Sequence, residues 1–210
     1  MKKLLILLFS LFLLSSPSVF ADDISDFEIE GISIGDSLLD YMTEDQILEG
    51  MEKTKDYYSY LNEPNKYAEV YLFKDFPSYD NGLSVFIKNT GTNKYVTNKN
   101  KNEKYTILSL RGMMLFIEDF DGCIVKRDEI AEIFSLMFPN SQQEEYGRSH
   151  SLDPSGDSKF EAIQFVFASG GYIEAQCNNW EETFRIKNGY TEGLSVVIRT
   201  KEILSWLGDH

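Results

Sequence analysis

Two histidines, two cysteines and five prolines are all that 210 residues contain. Each scarcity excludes something. His150 and the terminal His210 are the only imidazoles, so a serine or cysteine nucleophile has little choice of base. Cys123 and Cys177 stand alone, without the close ligand spacing of a zinc site. Basic residues are also few: 20 against 34 acidic ones, a formal charge of −14. Such a surface repels nucleic acid and anionic lipid headgroups, whose recognition relies on Lys and Arg neutralising phosphate. Long apolar runs are missing too. The longest, Leu4 to Leu14 broken by Ser10, is shorter than the roughly 20 apolar residues of a spanning helix.

That short run has a context of its own. Met1-Lys2-Lys3 is a basic start, and Val19-Phe20-Ala21 ends in a small residue before Asp22. Basic start, apolar middle and small-residue cleavage site together form a secretory signal peptide. The expected mature chain is 22–210, one domain of ordinary size, exported by a bacterial cell to the periplasm or beyond. No Cys lies at the cleavage site to take a lipid, and no integral membrane segment is expected after cleavage. In an oxidising compartment, an even cysteine count reads as one disulfide, Cys123–Cys177.

Patterning of the remaining residues points to hairpins. Phe27 to Ile34 alternates like a strand, and Gly35-Asp36 turns the chain, with Asp36 placed to cap a brief helical turn. Thr43-Glu44-Asp45-Gln46 is a capping box opening a helix to about Lys53, with Met42 and Ile47 as its hydrophobic staple. Strands are expected over Tyr67–Phe73, Leu83–Lys88 and Tyr105–Ile117, with Gly112 as a candidate bulge. The clearest helix carries Ile130, Ile133, Phe134, Met137 and Phe138 as an apolar stripe, with Lys126 to Glu129 and Glu132 mainly opposite. Tyr146 to Lys159 reads as a polar loop. Strands follow over Phe160–Ala168, Tyr172–Cys177 and the Leu194–Ile198 region, then a short helix capped by Thr200. Hairpin-like connections predict an α+β domain: an antiparallel sheet with helices packed on one face, in which the helix-then-strands order of each half hints at two similar halves.

Gly35-Asp36-Ser37-Leu38 resembles the nucleophile block of the GDSL lipases and esterases. The resemblance implies a parallel α/β sheet and Ser37 as the residue attacking an ester. The chain departs from the family's other blocks. Gly91-Thr92-Asn93 is followed by Lys94 rather than Asp, and Asp209 directly precedes His210 instead of standing three residues before it. Without a positioned base a serine hydroxyl is a poor nucleophile, so Gly35 as a turn and Asp36 as a cap explain the string more simply.

Asp119-Phe120-Asp121-Gly122 and Asp153-Pro154-Ser155-Gly156-Asp157 place carboxylates beside glycine, but neither has the alternating ligands and closing Glu of a calcium loop. Lys94, Lys99, Lys101 and Lys104, flanked by Tyr95 and Tyr105, read as a solvated loop. No metal or cofactor is expected. As a whole the chain also resembles small secreted bacterial proteins of unassigned function. That resemblance rests on Phe27–Tyr41, the Cys123–Phe138 helix with Arg127-Asp128-Glu129-Ile130, and the Cys177 strand. It implies no activity. The expectation is a non-catalytic domain binding a protein or small-molecule ligand; the alternatives are an esterase using Ser37 and a structural envelope component.

Overall fold

The computed structural model describes residues 24–56, 66–73, 76–80, 82–89 and 104–208. The signal segment, Gly91 to Lys101 and the terminal Asp209-His210 lie outside these residues.

The chain enters through a two-stranded ribbon, β1 (Glu28–Ile29) with β2 (Ile32–Ser33). A capping box then opens α1 (Glu44–Thr54): Thr43 Oγ1 accepts the Gln46 amide, and Gln46 Oε1 accepts the Thr43 amide at 2.9 Å. Strands β3 (Tyr67–Leu72), β4 (Leu83–Lys88) and β5 (Thr106–Leu115) follow as a meander. A second helix, α2 (Phe120–Met137), leads into β6 (Gln142–Ser149), β7 (Lys159–Val166) and β8 (Tyr172–Asn179). A short helix, α3 (Glu182–Asn188), connects to β9 (Gly193–Arg199), and α4 (Lys201–Gly208) ends the described chain.

The order in the sheet is β3-β4-β5-β9-β8-β7-β6, antiparallel throughout, which is the expected α+β class in one domain. Each half is a helix followed by a meander, and the last strand of each, β5 and β9, pair at the centre. Gly82–Lys88 (GLSVFIK) and Gly193–Arg199 (GLSVVIR) nearly match in sequence but fall at unequal places, the second strand of one half and the last of the other. No helix among the described residues is long and apolar enough to cross a membrane.

The inner face is built from one apolar row running across five strands. Val85, Leu110, Ile198, Ile173 and Phe165 are register partners in turn, and all are buried. Side chains alternate across a pleated strand, so these five point the same way and meet Ile47 of α1, Phe134 of α2 and its C-cap residue Phe138. Each such side chain contributes about 1.5–3 kcal/mol by leaving water. The Cys123–Cys177 disulfide pins α2 to β8 with Cα atoms 5.9 Å apart. Closing a 54-residue separation adds about 4 kcal/mol on chain-entropy grounds.

That bond sets the rotation of α2 and corrects the expected stripe. With Cys123 facing inward, the buried positions are Cys123, Arg127, Ala131 and Phe134, with Phe138 capping the helix beneath them. Ile133, expected in the core, is 54% exposed. Arg127, expected on the solvent side, is buried and ion-paired with Asp128, Glu145 and Glu161.

Three further expectations change. Helices do not all share one face: α4 covers the outer face, where Ile203, Trp206 and Leu207 pack on Tyr67, Phe86 and Leu108. The sheet irregularity lies between Phe86 and Ile87, opposite the extra residue Leu108, and not at Gly112. Gly112 instead makes room for Tyr79, whose ring would stand 2.3 Å from an added Cβ. The segment around Tyr146 is strand β6 rather than loop.

Candidate functional site

The outer face of the sheet is polar where α4 leaves it uncovered. Ser84 of β4, Arg111 of β5, Val197 of β9 and Glu174 of β8 are register partners along one row, so the pleat sends all four outward. Arg111 is anchored by its Nε–H, which donates to Ser195 Oγ at 2.8 Å. Ser84 Oγ donates to Glu69 of β3, and Arg199 Nη1 donates to Tyr172 OH at 2.8 Å. Glu69 is only 4% exposed, and its Oε2 has no hydrogen-bond partner among the described residues. Burial pushes its carboxyl upward, against the Ser84 hydrogen bond and the charges of Arg111 and Arg199.

At the end of the face remote from α4, a cavity of about 330 Å³ opens over this row. Its floor is Ser84, Arg111 and Met113; Tyr71 stands on one side and Trp180 and Tyr190 on the other. The aromatic wall comes from the β8–α3–β9 connection, and local chemistry explains its position. Glu181 caps α3 by accepting the Thr183 and Phe184 amides. Gly189 ends the helix in the left-handed region at φ 68°, which returns the chain so that Tyr190 stacks on Trp180 at 4.4 Å. His150 stacks on Trp180 at 3.8 Å. The buried Glu192 holds the wall's backbone, accepting the Trp180 amide through Oε1 and the Glu118 amide through Oε2.

The β6–β7 hairpin loop is tied to the same wall. Asp153 accepts from the amides and hydroxyls of Ser155 and Ser158, which hold its carboxyl down at about 2. Ser158 Oγ then accepts the Glu181 amide at 2.8 Å. The Asp153–Asp157 segment is therefore a hydrogen-bonded turn that braces α3. Asp119 acts similarly, as the N-cap of α2 accepting from the Gly122 amide. Among the described residues no group of three or more His, Cys, Asp or Glu could hold a metal ion.

Ser37 lies at the other end of the molecule. It is 2% exposed, donates to the Lys104 carbonyl at 2.7 Å and accepts the Leu39 amide at 3.3 Å as N-cap of the 3-10 turn Leu38–Asp40. Asp36, expected as that cap, instead accepts from the Ser33 amide and the Tyr41 hydroxyl. Ser37 bridges Thr106 at the start of β5, whereas register places His150 beyond the far end, by way of Leu115, Gly193, Asn178 and Phe160. At about 3.4 Å per residue, the length of β5 alone separates them by on the order of 30 Å. Lys104 and Tyr105, from the basic stretch, both donate to Glu44 Oε1; Lys94, Lys99, Lys101 and Tyr95 lie outside the described residues.

Arg111, Trp180 and Tyr190 carry no motif. The only sequence signal for Arg111 is a lone cation inside an apolar strand, and a strand period with one face polar could have found it. Comparison with protein-family models, curated proteins and solved structures returns no match to this chain.

Proposed function

We propose that this chain is an exported, non-catalytic binding domain that takes a small molecule in the cavity above Arg111. One observation carries the reading: an arginine fixed through Nε to Ser195, its terminal nitrogens without a hydrogen bond among the described residues, at the floor of an aromatic-walled cavity. Binding sites characteristically combine such a concave, partly apolar wall with a few placed polar groups. The wall is braced from behind by the Asp153, Ser158 and Glu192 bonds, which supports a pre-formed site. Export is supported by the signal-like residues 1–21 and by a disulfide, which is compatible with an extracellular location.

The test is a ¹⁵N–¹H correlation spectrum of the periplasm-recovered protein, titrated with a panel of small anions, cations, neutral sugars and aromatic acids. Expected shifts cluster at Tyr71, Ser84, Arg111 to Met113, Trp180 and Tyr190. Shifts confined to other faces, or none across the panel, overturn the reading.

A further inference from the structure

From the lining of this cavity, and resting on the binding function proposed above, we infer that the ligand is a carboxylated sugar of the hexuronic acid class. Arg111 is the only charged side chain among the described lining residues, in a chain whose overall charge is strongly negative. The cavity therefore favours one negative charge on its occupant. With Nε spent on Ser195, the planar guanidinium presents its two terminal nitrogens, the geometry that pairs with a carboxylate.

The other ligand chemistries fit less well. No carboxylate is among the described lining residues, so an ammonium group, and with it a free amino acid, has no partner there. A phosphate dianion calls for several donors, and here a single arginine stands beside the buried Glu69. An aromatic acid could stack on the same rings, but it would leave the hydroxyl and amide groups of Ser84, Thr191 and Asn178 without a partner on the ligand. What remains is rings and neutral polar groups. Tyr190 and Tyr71 bring aromatic rings to the lining, of the kind that sugar C–H groups cover, with Tyr190 stacked on Trp180 and Phe184 and Tyr71 on Phe73. Ser84, Thr191 and Asn178 supply hydroxyl and amide groups. Asn178 is itself buried, and Gln176 Nε2 donates to its Oδ1 at 2.6 Å, which orients the amide. The cavity volume, about 330 Å³, sits at the small end of the ligand-site range and suits a short saccharide.

Calorimetric and ¹⁵N–¹H titrations with galacturonate and glucuronate test this, beside galactose, glucose, benzoate and inorganic phosphate. The uronates are expected to shift cavity resonances and to bind about tenfold or more tighter than the neutral sugars, the worth of a charge-assisted hydrogen-bond pair. Arg111→Gln should erase that preference, and Tyr190→Ala should weaken acidic and neutral sugars alike. Each variant is checked for native dispersion in the same spectra. Cavity shifts with benzoate, phosphate or neutral sugars at equal or greater affinity overturn the uronate inference and leave the binding function standing. If no compound moves a cavity resonance, both fall.

Discussion

His150 and Trp180 stack with ring centroids 3.8 Å apart and planes 13° from parallel. Burial pushes the imidazole below its ordinary value of 6.5, against smaller opposing pulls from Asn178 and Asp153. The native state thus favours neutral His150. Its contribution to stability is present above 6.5 and is lost as pH falls through the lower folded value. In a Trp206→Phe background, Trp180 fluorescence is expected to be quenched on acidification, with a midpoint below 6.5. Urea unfolding between pH 7 and pH 5 should lose less stability in His150→Phe than in the parent. A midpoint at or above 6.5 would show that burial does not control this ring.

Ser37 is a cap whose hydroxyl is committed to the Lys104 carbonyl and the Leu39 amide. Ser37→Ala is therefore expected to cost about 1 kcal/mol in denaturant unfolding. A fluorophosphonate probe should leave the folded protein unlabelled. Robust labelling that disappears in Ser37→Ala would reinstate the esterase alternative.

Arg127 makes an asymmetric prediction. Its side chain is 4% exposed, whereas Glu145 is 63% and Glu161 42% exposed. Arg127→Met leaves carboxylates that water can reach, so it should cost under about 1 kcal/mol. The Glu145→Gln, Glu161→Gln double variant leaves a buried guanidinium with only Asp128, and should cost about 2 kcal/mol or more. Thermal or urea unfolding gives the order directly. Equal losses would mean that the acids hold Arg127 no better than water would.

Elements whose residues had a reason to alternate or cap were legible before the structure. The Thr43 capping box, the Tyr172–Cys177 strand and the disulfide are of this kind. Strand β6 was not, because Gln142 to Ser149 lies at the sheet edge with little to bury and so carries no apolar period. For α2, apolar spacing alone favoured Ile133 as a core residue, while the covalent tether at Cys123 decided which side faced in. The cavity was hidden for a different reason. Arg111, Trp180 and Tyr190 become neighbours only through strand register and the turn at Gly189, neither of which is written in the spacing between them. The Tyr-rich composition was visible, but its grouping was not.

The central place of β9 has a consequence for how the molecule is made. Strands β5 and β8 each pair on one side with a strand already synthesised, and on the other only with residues 193–199. Until those residues arrive, two incomplete meanders exist side by side with no hydrogen bonds across the seam. Long-range pairing of this sort is slow to form. The sheet thus stays open until residues 193–199 are made, and β9 acts as the latch that joins its two halves.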